Sequence, residues 1–483
     1  MAEAQTKPFS LPSPGICISA VRGGGGKTLI SLGLCRALVH KGFTVKAFKK
    51  GPDYIDAAWL ARASKNPATN LDLFFLPPHK ICELAQASLA KLDSLSPCFA
   101  LLEGNRGLYD GQNSKGAFST AELSRILNLP ILLVIDVTKV TRTAAAVISG
   151  LTHFEPGLRF TGCVLNRVGT SRQEALLRTC IEEETGIPVL GAIPRLSANP
   201  LPERHMGLAS YGAKLADDTE AKLEGLANLV ETSLDLAKLL ERCTPQASEN
   251  TTSSSIPTLL TKKTADVRIG FLRDEAFWFY YEENLEALAN EGVDLVPLRL
   301  LGKPSEPRLW QTIHGLYLGG GFPEDFASEL AASPGIKRIA ELSAQGLPIY
   351  AECGGFMLLA RSLCIKGQNY PMCNVFPVDV EFCPKPQGLG YVQAKVLANS
   401  PFFTRGEELR GHEFHYSRCV RAEDLPYQLR LSLGHGMSNF QDRAFDGLCI
   451  NKTWASYLHL FAPAYPAWAR HFAQAARQFS QNA

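Results

Sequence analysis

The chain has thirteen cysteines yet no CxxC pair, and at 483 residues that absence argues against a disulfide framework or a structural zinc site. It has no apolar run near the ~18 residues of a membrane-spanning helix. Its polar, proline-bearing first fourteen residues lack the apolar stretch of a signal peptide. Formal net charge is only +2, which leaves no broad basic face for nucleic acid or anionic lipid. These absences predict a cytoplasmic protein with mostly buried thiols, no nucleic-acid partner and no membrane partner.

What is there suggests two α/β domains. Residues 244–264, "TPQASENTTSSSIPTLLTKKT", are rich in Ser, Thr and Pro and have little to bury, a linker composition. Residues 1–243 and 265–483 are each long enough for one domain. The first alternates apolar runs ("GICISA" 15–20, "TVKAF" 44–48, "CFALLEG" 98–104, "PILLVID" 130–136, "FTGCVLN" 160–166, "IPVLGAI" 187–193) with helical patterns. Runs apolar on both faces predict a parallel sheet flanked by helices. The second repeats this with "VRIGFL" (267–272), "DLVPL" (294–298), "HGLYLGG" (314–320) and "LPIYAEC" (347–353), and its later segments read as antiparallel.

"VRGGGGKTLISLGL" (21–34) follows a strand and opens a helix, the setting of a phosphate loop. Backbone N–H groups at Gly23, Gly24, Gly25 and Gly26 and at the helix start suit the anion. Lys27 reaches the β- and γ-phosphates of ATP, and the Thr28 hydroxyl suits Mg2+. Val21 stands where the usual pattern has Gly. With Arg22, the loop is similar both to those of partitioning ATPases and to those of dethiobiotin synthetases, so a P-loop switch and a ligase both remain open on this stretch alone.

Carboxylates decide between them. "FKKGPDYID" (48–56) supplies Asp53 and Asp56, and "LLEGNRGLYDG" (101–111) supplies Glu103 and Asp110. One carboxylate serves Mg2+, which takes few protein ligands; four exceed that need, although Asp110 in "YDG" also suits a turn. "GPDYID", "EGNRGLYDG", "NLD" (70–72), "LNRVG" (165–169) and "ERHMGL" (203–208) resemble the synthetase domain of the cobyrinic acid a,c-diamide synthase family. Asn105 and Arg106 replace a pair that is more often apolar there. The resemblance implies amidation of tetrapyrrole carboxylates at the expense of ATP. It makes Thr28, Glu103 and Asp53 metal ligands, with Asp72 a weaker candidate. It gives Asp53 and Asp56 roles at the acyl phosphate, has Asp110 position substrate, and brings Asn166 to the adenine.

The second domain suggests the nitrogen source. "LPIYAECGGFMLLARSL" (347–363) puts Cys353 between a strand and a helix, a sharp turn that exposes a nucleophile and, at a helix N-terminus, favours thiolate. "LGGGFPE" (318–324) offers Gly320 and Gly321 as an oxyanion hole. This half resembles the triad-type glutamine amidotransferase domain of the same family, which is of the class I α/β type and uses L-glutamine. That resemblance makes His459, in "SYLH", the base, and "GHEFHYS" (411–417), with His412 and His415, a structural or docking element. Related triads carry Glu two residues after the histidine; here Phe461 stands there, so the expected site is a Cys353–His459 dyad with the ring oriented by a backbone carbonyl. Cobyrinate or hydrogenobyrinate is the leading substrate, and sirohaem and nickel-sirohydrochlorin are the alternatives. The reading admits a homodimer. A switch ATPase has no use for a glutaminase, which weighs against that class.

Overall fold

The computed structural model describes residues 9–92, 95–198, 200–201, 203–204, 207–208, 216–244, 263–420, 425–440 and 443–482. Two compact units divide the chain within residues 244–264, most of which lie outside the described residues, as does the middle of the 203–208 motif.

The first unit comprises β1 (Gly15–Ala20), α1 (Lys27–His40), β2 (Thr44–Lys50), α2 (Tyr54–Ser64), β3 (Thr69–Leu71), α3 (Pro78–Ala90) and β4 (Cys98–Glu103). It continues through α4 (Thr120–Ile126), β5 (Ile131–Asp136), α5 (Thr143–His153), β6 (Phe160–Val168), α6 (Ser171–Thr185) and β7 (Val189–Pro194). The seven strands form one parallel sheet in the order β3-β2-β4-β1-β5-β6-β7. β1 is buried at all six residues, as a central strand covered on both faces must be. The chain runs outward from β1 through β2 and β3, returns by β4 and crosses to β5. That reversal opens a crevice at the carboxyl end of β1, where open α/β sheets bind their ligands. β3 escapes the sequence pattern because Thr69-Asn70-Leu71 is too short to show periodicity; its register, Lys50 beside Leu71, adds it to the sheet edge.

In the second unit Val293–Leu298, Val267–Leu272, Gly315–Leu318, Ile349–Glu352 and Thr453–Ser456 form a parallel run, with Leu448–Ile450 antiparallel at its edge. A second, antiparallel sheet orders Ser438–Phe440, Arg443–Asp446, Leu429–Leu433, Gly388–Val396, Glu408–His415 and His459–Leu460. Strand alternation sends Leu316 and Ile349 into one apolar cluster and Tyr317 and Tyr350 into another. The latter also takes Val392, Leu409, Leu431 and Leu458, so the two sheets share a core. Tyr350 stacks on Trp454 there at 5.0 Å between ring centroids. Among the described residues no helix is long and apolar enough to cross a membrane.

Candidate functional site

The phosphate loop is shaped before any ligand arrives. Gly26 caps α1 at φ 100°, a left-handed conformation that favours glycine. A Cβ at Gly26 would also lie 2.1 Å from Asn166 Nδ2. The Asn166 amide donates to the Gly25 carbonyl at 2.9 Å, so β6 braces the loop. Lys27 Nζ donates to the carbonyls of Arg22 (3.3 Å) and Arg106 (2.6 Å), folding across the mouth of the loop. Burial, and Lys49 nearby, pull its pKa below the usual lysine value.

Next to the loop, the register that pairs Lys49 with Glu103 creates a charge cluster. Lys49 Nζ donates to Asp56 Oδ2 at 2.5 Å and to Glu103 Oε1 at 2.9 Å, and Thr28 Oγ1 donates to the same Glu103 oxygen at 2.8 Å. Burial opposes the charge on Lys49, but Asp56 and Glu103 outweigh it and hold the ammonium's pKa above its ordinary value. Glu103 is pushed up by burial, with Asp56 adding to it and Lys49 opposing. Asp53 caps α2, accepting from the Asp56 N–H at 2.9 Å, and burial with Asp56 alongside raises its pKa to about 7. Asp110 is exposed and accepts from the Gly107 N–H at 2.8 Å, closing the turn over the loop. Asp72 accepts from the Phe74 N–H at 2.8 Å.

These residues suit a hard cation. Glu103 Oε2 is buried without a hydrogen-bond partner, directly beside the Thr28 hydroxyl. Among the described residues no three His, Cys, Asp or Glu side chains converge; Mg2+ takes one or two carboxylates and keeps its waters.

In the second unit Cys353 ends the strand Ile349–Glu352 at φ 47°, ψ −101° and opens the helix Gly354–Leu359, a strained elbow. A Cβ at Gly355 would lie 2.3 Å from the Leu318 carbonyl, so the tight helix approach requires glycine. The expected thiolate is not favoured. Burial, reinforced by Glu324 and against the pull of the Gly354 N–H, pushes the thiol well above its usual pKa. The six-residue helix Gly354–Leu359 contributes too little to offset that desolvation, so a base is needed.

His459 is buried in the partner sheet, its register opposite His412. The two imidazoles stack at 4.8 Å, and burial together with His459 holds the His412 pKa well below the usual value. Gly320 and Gly321 run between the two centres. A Cβ at Gly320 would sit 2.5 Å from His459 Cε1, and one at Gly354 would sit 3.0 Å from the Gly321 nitrogen. Cys353 Sγ lies 3.5 Å from the Phe414 carbonyl. His415 stacks on Tyr457 at 3.7 Å, outside this row.

The expected orienting carbonyl is replaced by a carboxylate. Glu352 Oε2 lies 3.5 Å from His459 Nδ1, with both side chains fully buried. Tyr350 O–H and the Leu460 N–H donate to Glu352 Oε1 at 3.1 Å, and Tyr317 O–H donates to Oε2 at 3.3 Å. A signal was available: a charged residue closing the apolar strand "LPIYAE" (347–352) must find partners inside. Sequence reasoning marked Lys49 and Lys50 as a possible anion site but not the bridge from Lys49 to Asp56 and Glu103, and it passed over Asp446. Asp446 accepts from the N–H groups of Tyr457 and Leu458, each at 3.1 Å, and so fixes the backbone just before His459.

A phosphate loop with its cation pair and a cysteine elbow with its histidine, in one chain, define a glutamine-dependent amidoligase. Residues 16–208 match the family model of the CobQ/CobB/MinD/ParA nucleotide binding domain, and residues 268–466 that of the CobB/CobQ-like glutamine amidotransferase domain. The chain is 37% identical to the cobyrinate a,c-diamide synthase of Magnetococcus marinus, over 98% of this chain and 100% of that one. It is 36% identical to the synthase of the same name from Caldanaerobacter subterraneus, over 83% of this chain and 86% of that one. With the Synechocystis synthase it shares 36% identity over 92% and 90% of the two chains. The chain belongs to the cobyrinate a,c-diamide synthase family.

Proposed function

We propose that this protein converts two side-chain carboxylates of cobyrinate to amides, taking nitrogen from L-glutamine and activating each carboxylate with ATP. The observation that supports the reading is a chain carrying candidate residues for both centres that aligns along nearly its whole length with a cobyrinate a,c-diamide synthase.

In the first centre Lys27 and the loop amides hold the triphosphate, and Asn166 keeps the loop in register. A substrate carboxylate oxygen attacks the γ-phosphorus, the bond to the bridging oxygen of ADP breaks, and an acyl phosphate forms. Positioning and fixed charge do most of this work. The Thr28 hydroxyl and Glu103 would hold Mg2+, which offsets phosphate charge when bound. Lys49 fixes Glu103 and Asp56, and Asp53 and Asp56 face the acyl phosphate. Asp110 holds the turn that carries substrate.

In the second centre His459 takes the Cys353 proton as sulfur attacks the glutamine side-chain amide, and returns it to the departing ammonia. Glu352 supports the imidazolium and keeps its ring in place. Gly320 and Gly321 supply the polar backbone beside the developing oxyanion. Water then cleaves the thioester and releases glutamate. Ammonia attacks the acyl phosphate and phosphate leaves. The same reading places the enzyme in the cytoplasm and admits a homodimer, which sedimentation would check.

The test is product mass after incubation with ATP and glutamine, offering cobyrinate and sirohaem side by side, with Cys353→Ala as control. Two amidation steps on cobyrinate, lost in Cys353→Ala and restored by free ammonia, are expected. Amidation of sirohaem alone would move the substrate; ATP hydrolysis with no amide on either would count against the ligase.

A further inference from the structure

β2 ends in two lysines that leave the strand on opposite faces. Lys49 is taken up by Asp56 and Glu103. Lys50 is 7% exposed, and among the described residues its ammonium has no hydrogen bond and no ion pair. Burial lowers its pKa, with Asp72 and Glu122 opposing and Arg106 and Lys49 adding to the shift. The side chain is buried, so the ammonium is partly desolvated, and no protein acceptor among the described residues offsets that loss.

What lies beside it is equally unspent. Gly51 turns the chain at φ 93°, and a Cβ there would sit 3.4 Å from Asn105 Nδ2 and 3.8 Å from Asp72 Oδ2, so the Lys50–Gly51 corner faces the Asn105–Arg106 segment with the Asp72 carboxylate at its side. Arg106 holds φ 51°, a left-handed conformation unusual for a long side chain and of the kind that clusters at binding sites. Its carbonyl is tied to Lys27 Nζ at 2.6 Å, which places it at the phosphate end of the loop. Its guanidinium is exposed and has no acidic partner among the described residues.

We propose that Lys50 and Arg106, with the Asn105 amide, form an anion subsite that holds one carboxylate of the tetrapyrrole while another is phosphorylated. The proposal rests on the tetrapyrrole reading above. The nucleotide is a weaker claimant, because Lys27 and the cluster of Lys49, Glu103 and Thr28 already serve the phosphates. A polycarboxylate is the remaining anion in the reaction, and arginine suits a carboxylate because its planar fork can donate two parallel hydrogen bonds. An anion entering this corner gives Lys50 an acceptor that the described residues do not, and so adds to discrimination in favour of substrates with a second carboxylate at the right place.

The experiment compares wild type, Lys50→Met and Arg106→Met as full chains. It reads cobyrinate binding by calorimetry in the presence of ADP, KM for cobyrinate and for ATP, and the melting temperature without ligand. Each substitution is expected to weaken cobyrinate binding and raise its KM by about tenfold or more, the loss of one charge-assisted hydrogen bond, while KM for ATP stays within about twofold. Lys50→Met is also expected to melt no lower than wild type without ligand, since the ammonium has no protein partner to lose; a merely structural lysine would give a lower melting temperature. Arg106→Met, at an exposed position, keeps the test alive if the buried variant misfolds. Unchanged cobyrinate binding in both variants would overturn the subsite, and a rise confined to KM for ATP would overturn it by reassigning the pair to the nucleotide. Wild type that binds cobyrinate in a Lys50-dependent way yet makes no amide would sink the functional reading and leave the subsite standing. Wild type that amidates cobyrinate with KM indifferent to both substitutions would do the reverse.

Discussion

In the first unit Lys49 sits among Asp56, Glu103 and Thr28, each within 2.9 Å of a partner. In the second unit His459 lies beside Phe279 and the His412 ring, Glu352 is the carboxylate against the imidazole, and Tyr350 and Tyr317 bond Glu352. The first centre works on phosphate and needs fixed charge where charge develops. The second moves one proton between sulfur, imidazole and nitrogen, and needs a base held in place beside the thiol. Burial acts on both, by strengthening ion pairs in one and by pushing the thiol's pKa up in the other.

Breaking one side should leave the other intact. Cys353→Ala removes the nucleophile, so glutamine-dependent amidation should vanish while ammonia-dependent amidation persists, read by mass spectrometry with either nitrogen source. Glu352→Gln keeps the shape and removes the charge beside His459. Its glutaminase kcat should fall by between about 10²- and 10⁴-fold, with glutamine KM little changed and the pH profile altered; an unchanged kcat would return the site to a dyad. Glu103→Gln should cost about 10²- to 10³-fold in amidation with either nitrogen source and spare glutamate release.

The smallest effect sharpens the contrast through pH. Asp53 is raised to about 7 in the folded chain from an ordinary value near 3.8, so the folded state holds a proton that the unfolded state gives up. Its contribution to stability is complete below about pH 4 and is lost as pH rises through about 7. Asp53→Asn, which keeps the cap on α2, should raise the melting temperature at pH 8 in chelator by a few degrees, at about 2–4 °C per kcal/mol. The gain should shrink toward pH 4. An equal gain at both pH values would point to packing instead.

Much of this was legible because the chemistry sits in short contiguous motifs: a glycine run at a strand end, and a cysteine followed by two glycines. The parallel sheets could be read from strands apolar on both faces. What escaped depended on partners far apart in sequence. Lys49 reads as one of two basic residues until the β2–β4 register sets it beside Glu103. Glu352 stands next to Cys353, yet its target His459 lies 107 positions on and in a different sheet. Asp446 offered no motif, since it acts through backbone amides alone. The depth of the Cys353 thiol also escaped, because a local rule about helix starts says nothing of burial.

Between Ser456 and His459 the chain passes from the parallel sheet to the antiparallel one in two residues, Tyr457 and Leu458, both held by Asp446. The glutaminase therefore cannot be miniaturised to its parallel core. A construction that excised residues 360–447 would keep the cysteine and its elbow but discard both the strand that seats the histidine and the clamp that aims it. Any attempt to graft this module onto another synthetase has to carry both sheets across as one piece.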